Sequence, residues 1–232
     1  MKKYFSFALV AALLAASTAF VSRPAQAQGP GLVSEIVNKM QRNRQSLHTL
    51  RAAITMQKYN AQLHDYDEAS GEVAYIAGSG RNANVRVDWQ KPTVEVLSVL
   101  NGKYKLYRPR LNQLMEGSTQ SVSQGRVNSV LGFGLNASGA QLRGQYDIDV
   151  AGEGTLYDGG PHVVYLKLTP KTSGGKFTEV WVDNSGMPIQ TRVTEKNGDS
   201  TLVRLTNIQR NARVTPQDID IQVPGDVKIV KS

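Results

Sequence analysis

The chain has 232 residues, a formal charge of +8, 40% hydrophobic residues and no cysteine. Without cysteine it has no disulfides, and it lacks the thiol that a lipid-anchored bacterial lipoprotein carries at its mature N-terminus, so its stability must come from packing. The charge is moderate and no aromatic-basic RNA motif accompanies it, which argues against a nucleic-acid partner. A basic surface of this size suits anionic headgroups or acidic partners, or serves solubility alone.

The first 27 residues read as an export signal. Lys2 and Lys3 form a positive start, Phe5 to Val21 is apolar, and Ala25-Gln26-Ala27 is a small-x-small cleavage site. Cleavage after Ala27 and a periplasmic location are therefore expected. A membrane anchor is the competing reading, but the run is short for a span of roughly 20 residues and a cleavage motif follows it. Lys2, Lys3 and Arg23 fall in this segment with no acid, which leaves the mature chain at about +5. Residues 28–232 are expected to form one domain.

Leu32 to Leu47 reads as a helix, with Leu32, Val33, Ile36, Val37, Met40 and Leu47 on one stripe and Pro30-Gly31 at its start. Strands follow. Leu50, Ala52, Ile54 and Met56 alternate with Arg51, Ala53, Thr55 and Gln57. Leu63 to Ser70 is polar and reads as a long hairpin loop. Val73, Tyr75 and Ala77 alternate, as do Val85, Val87 and Trp89, and Pro92 stops the latter strand. Val94 to Leu100 leads into Asn101-Gly102, the strongest short hairpin signal, and Tyr104 and Leu106 continue beyond it. Gln113 to Glu116 is a further short strand.

Gln124 to Leu135 breaks the pattern. Val127, Val130, Leu131 and Leu135 recur at helical spacing, interrupted by Gly132 and Gly134. Glycines weaken a helix, which suits a movable lid; a surface helix ending at a glycine cap fits the residues equally. Strands then return at Tyr146–Val150, His162–Leu168, Phe177–Val182, Ile189–Val193 and Leu202–Ile208. Val214 to Asp218 reads as a turn, and Pro224-Gly225 precedes a last short strand. The pattern predicts roughly ten antiparallel strands and two helical pieces. The apolar side of these strands has too few large residues to fill a solid core, so something must cover it or lie on it.

Catalytic signatures are absent. His48, His64 and His162 fall in different elements without ligand spacing, and neither H-E-x-x-H, G-x-S-x-G nor a phosphate loop occurs. Asp65, Asp67 and Glu68 lack the glycine and terminal Glu of a calcium loop. No enzyme, cofactor or metal site is expected. An outer-membrane barrel would also alternate, but 7% aromatic residues is low for two girdles, and Arg51, Arg86, Lys103, Lys105 and Arg204 would face lipid.

Arg81-Asn82, the strand to Trp89, Pro92, Val94–Leu100, Asn101-Gly102-Lys103, Tyr107-Arg108-Pro109 and Gln113 follow one another in an order that resembles the central block of the LolA family of periplasmic outer-membrane lipoprotein carriers. Leu168-Thr169-Pro170-Lys171, Phe177, Gly186, Glu195, Thr201–Ile208 and the closing Pro224-Gly225-Asp226-Val227 agree with the family's distal half. The resemblance spans roughly Leu32 to Val230. It implies an α+β fold, mainly β: a curved antiparallel sheet forming an incomplete β-barrel under a helical lid. It further implies a monomeric carrier that takes lipoprotein acyl chains from an inner-membrane release complex to an outer-membrane acceptor. In the family a basic residue latches the lid, which by carry-over is Arg81. Ile54, Met56, Val87, Trp89, Val99, Leu106, Val130, Leu131 and Trp181 are then expected to line the cavity or its lid, with ordinary core packing as the alternative for each. The chain departs from the family pattern at Asn82, at Val85 and Val87 in place of aromatics, and in its extra length at Leu63–Ser70. Those departures leave open relatives of the same fold that bind another lipid, such as a glycolipid, or sense mislocalised lipoprotein.

Overall fold

The computed structural model describes residues 30–78, 83–119, 138–172 and 176–231. One helix, α1 (Pro30–Ser46), precedes six strands, β1 (Thr49–Asn60), β2 (Asp65–Ile76), β3 (Asn84–Lys91), β4 (Glu95–Leu100), β5 (Lys103–Arg108) and β6 (Gln113–Ser118). A short helix, α2 (Gly139–Gln145), leads into β7 (Tyr146–Thr155), β8 (His162–Pro170), β9 (Phe177–Asp183), β10 (Pro188–Thr194) and β11 (Ser200–Arg210). One helical turn, α3 (Pro216–Ile219), and β12 (Lys228–Lys231) complete the chain.

The twelve described strands join one sheet in the order β12-β6-β5-β4-β3-β2-β1-β11-β10-β9-β8-β7. Two meanders meet at its centre. β1 to β6 run outward as successive hairpins, β7 to β11 run back, and β11 docks on β1. The hairpins follow local chemistry: Asn101 and Gly102 have φ of 51° and 75°, both positive, as a tight two-residue turn between right-twisted strands requires. The sheet does not close, because β7 and β12 form its ends. It is therefore an incomplete barrel with helices.

Two expectations change here. The sheet has twelve strands, and β12 pairs parallel to β6, from Lys228↔Gln113 to Lys231↔Glu116. The polar run Leu63 to Ser70 is mostly strand. The turn is confined to residues 61–64, and β2 pairs with β1 from Asn60↔Asp65 onward. This end of the hairpin extends past the core, so both of its faces are wet and no apolar alternation marks it.

Register shifts bend the sheet. They lie between Arg51 and Ala53 on β1, Ser70 and Gly71 on β2, Val150 and Gly152 on β7, and Pro188 and Gln190 on β10. Each leaves an extra residue on one strand of the pair, Gln90 of β3 in the case of Ser70 and Gly71, and sharpens the local twist, which curls a broad sheet toward a barrel. Gly71 is required at its bulge: a Cβ there would sit 2.1 Å from the Asp88 carbonyl oxygen.

The helices α1 and α2 pack on the inner face of the returning meander. Ile36 and Met40 of α1 and Leu142 of α2 meet Leu166, Leu168, Val180 and Val182. The sequence reading did not include α2, although Ser138 and Gln141 form a reciprocal capping box at its start. α2 also docks on α1, where the Gly139 N–H donates to Gln41 Oε1 at 2.9 Å. Behind the sheet, the segment after β11 crosses the outer face as a strap. Ile219 and Ile221 are buried there, and α3 touches β2, β3 and β4. Arg51 pairs with Asp218 at 3.1 Å and Lys105 with Asp220 at 2.7 Å, while Arg86 donates to the Asp220 carbonyl at 2.9 Å. No described helix is long and apolar enough to cross a membrane.

Candidate functional site

Strand alternation and register assemble an apolar floor on the inner face of β1 to β5. One row runs Leu50, Tyr75, Val85, Val99, Tyr104; the next runs Ala52, Val73, Val87, Leu97, Leu106. A third runs Ile54, Gly71, Trp89, Glu95. Across β1 the floor continues into Leu205 opposite Ile54 and Val203 opposite Met56. Most of these side chains form one buried cluster with Leu47, Ala83, Met187 and Ile189, and Leu97, Val99 and Tyr104 form a second beside it. No described helix packs along β2 to β5 on this side: α1 and α2 lie on the other meander and α3 behind the sheet.

The structure thus brings Ile54, Met56, Val87 and Trp89 into one cluster, with Val99 and Leu106 in the adjoining one. Val87 is wholly shielded from solvent and Trp89 is 2% exposed. Trp181 does not join the row. It alternates with Val180 and Val182, which face α1, and it therefore projects to the opposite side of β9. There its ring stacks on Tyr165 with centroids 4.8 Å apart and, half-buried, packs against the large cluster. Arg81, Val130 and Leu131 lie outside the described residues. Ala83, two positions beyond Arg81, is packed in the same cluster as the floor.

The floor is polar at one end. Glu95, buried to 8% exposure, stands opposite Trp89 on the third row. Arg108, two positions beyond Leu106 on β5, reaches it with Nε 3.2 Å from Oε1. A buried carboxylate is tolerable only with such a partner. Sequence reasoning missed this pair because its members meet across the β4–β5 hairpin, and each alone reads as a surface charge. Burial pushes the Tyr75 phenol up, against the opposing pull of Arg44.

The outer face of the returning meander carries a separate polar ladder. Tyr165 donates to Glu179, Arg192 pairs with Glu179 at 3.4 Å, and Arg204 donates to Gln190 at 2.5 Å. Burial, then the hydrogen bond to Glu179 and its charge, push the Tyr165 phenol up to about 12, with Arg192 opposing. Among the described residues no group of three or more histidines, cysteines or carboxylates could hold a metal ion.

An open, bulged and largely antiparallel sheet, helices on part of its inner face and an apolar floor on the rest define an incomplete β-barrel. No protein-family model matches the sequence, and no curated protein does. Solved structures do match. MucB has a TM-score of 0.54 at 14% identity over 84% of this chain, which spans 64% of MucB's length. An uncharacterised conserved protein from Thermus thermophilus has a TM-score of 0.54 at 15% identity, over 87% of this chain and 99% of that one. LprF from Mycobacterium bovis has a TM-score of 0.51 at 13% identity, over 84% of this chain and 98% of that one. At these identities the shared property is the fold.

Proposed function

We propose that the chain is a periplasmic carrier that binds the acyl chains of lipoproteins on its inner floor and moves them from the inner to the outer membrane. The observation that carries this reading is the floor itself: two parallel rows of apolar side chains across five strands, with no described helix packed along them. Apolar surface attracts hydrocarbon in proportion to area and without directional demands, so a floor of this kind suits alkyl chains better than a polar substrate. The proposed role is transport without catalysis. Residues 28–232 act as one carrier domain after removal of residues 1–27. Arg81 latches a lid that includes Val130 and Leu131.

A second reading is a periplasmic sensing module that binds a protein partner and passes no lipid onward. The likeness to MucB in complex with MucA(peri), at a TM-score of 0.50 and 13% identity over 82% of this chain, favours it. Native mass spectrometry of the protein purified from the periplasm separates the readings. A bound triacylated peptide supports the carrier. A bound glycolipid replaces its cargo, and a co-purifying protein without lipid supports the sensor and overturns the carrier.

A further inference from the structure

Among the described residues, the indole nitrogen of Trp89 on this floor has no hydrogen-bond partner, although the residue is only 2% exposed. Buried indole N–H groups ordinarily find an acceptor, because an unpaired donor in an apolar site gives up its bonds to water for nothing. The nearest candidate acceptor by register is Glu95, directly across from Trp89. Its carboxylate is drawn to Arg108 at 3.2 Å, and it does not take the indole proton. The other buried nitrogen without a hydrogen bond, Arg108 Nε, differs because it is the atom in that ion pair. Among the described residues Trp89 therefore presents an idle donor, and it does so where the apolar rows end and the polar pair begins.

We propose that Trp89 Nε1–H donates to the carbonyl oxygen of an ester- or amide-linked acyl chain. From that point the methylenes run over Val87, Leu97 and Leu106, and the headgroup lies toward Glu95 and Arg108. The proposal rests on the acyl-chain reading above and deepens it: the ligand class becomes acylated lipid, as distinct from alkyl lipid. Hydrocarbon alone cannot satisfy the indole, and a carbonyl at the head of the chain can. The donor also fixes which end of the chain lies at the polar end of the floor.

The test compares a diacylglycerol with its dialkyl-ether analogue of equal chain length, each displacing a fluorescent fatty-acid probe from the purified chain. One buried neutral hydrogen bond corresponds to about a two- to tenfold preference. Wild type is expected to prefer the ester by that factor. Trp89→Phe, which keeps a ring and removes the N–H, is expected to bind ester and ether alike, at the wild-type ether affinity. In nitrogen-labelled protein the Trp89 indole N–H signal is expected to shift with the ester and to stay in place with the ether. If Trp89→Phe fails to fold, the wild-type ratio and the indole shift decide. A triacylated peptide and a diacyl phospholipid, run in parallel, distinguish the two natural sources of an acyl carbonyl. Equal wild-type affinity for ester and ether, with an unmoved indole signal, overturns the inference and leaves the acyl-chain reading standing. If neither lipid displaces the probe, the acyl-chain reading itself fails.

Discussion

Gly186→Ala is expected to unseat α1 from the returning meander. Gly186 closes the β9–β10 turn with φ of 84°, in the left-handed region, and the turn presses against the middle of α1. A Cβ at this position would lie 2.4 Å from both the carbonyl carbon and the oxygen of Lys39 and 2.8 Å from the Met40 nitrogen. These are helix backbone atoms, so no side-chain rotation relieves the overlap. The left-handed conformation costs a residue with a Cβ about 1–2 kcal/mol, and forced displacement of a packed element adds about 1–3 kcal/mol. The expected loss is therefore about 2–5 kcal/mol, read as a lowered urea midpoint at unchanged slope. Gly186→Asn separates the two costs, since asparagine tolerates the left-handed region but still brings the clash. Gly144→Ala is the control: nothing lies within 4 Å of its Cβ position, and alanine in a helix is expected to be neutral or to stabilise by up to about 1 kcal/mol. A Gly186→Ala loss below about 0.5 kcal/mol would show that the turn and α1 are not tightly joined and would refute the packing argument.

Three further outcomes are expected. Arg81→Leu should purify with more bound lipoprotein than wild type and release it more slowly; equal loading and release would dismiss the latch. Tyr165 should titrate near 12 in near-ultraviolet absorbance, and Glu179→Gln should lower that value by removing the acceptor and its charge. Because the folded-state value is raised, the Tyr165 contribution to stability is present below the usual value of 10 and fades as pH rises through about 12. Asp220 is held below the usual carboxylate value of 3.8 chiefly by the Lys105 hydrogen bond, and Asp218 by its bonds from Thr215. With depressed folded-state values, both carboxylates stabilise the strap above that pH and stop doing so as pH falls through the folded values. The protection of residues 228–231 against hydrogen exchange, relative to the intrinsic rate at each pH, should therefore fall in acid, and Asp220→Asn should lower it at neutral pH. Unchanged exchange in that variant would mean that β12 is held by its ladder with β6 alone.

Strands were legible where one face is dry and the other wet. Val85, Val87 and Trp89 alternate with Arg86 and Asp88, and the register bears that out. The same rule fails at both extremes of burial. Asp65 to Ser70 forms strand with no dry face to mark it. Val180, Trp181 and Val182 are apolar on both faces, so their sequence could not tell which points toward α1. Pairings between distant segments left no local trace: β12 reaches β6, and lies parallel to it, after the strap that follows β11 has crossed the back of the sheet, and nothing near Lys228 specifies Gln113 as its neighbour. At the candidate site the apolar members were legible as strand residues. Its polar end was not, since Glu95 and Arg108 become partners only after the β4–β5 hairpin forms.

The burial of the floor bears on how a carrier could release what it holds. A chain of about sixteen carbons, fully removed from water, gains about 12 kcal/mol at about 0.8 kcal/mol per methylene. Two or three such chains held to that extent would not leave on a useful timescale. Here, however, Ile54, Val87, Trp89 and Val99 are already out of water in this conformation. A lipid arriving on them gains the burial of its own surface but none for theirs, and whatever shields them must first give way. Both effects subtract from the gross hydrocarbon term. A sheet whose apolar side is shielded beforehand can therefore bind acyl chains firmly enough to carry them and weakly enough to give them up, whereas an open greasy groove would bind too tightly for release and would aggregate when unoccupied.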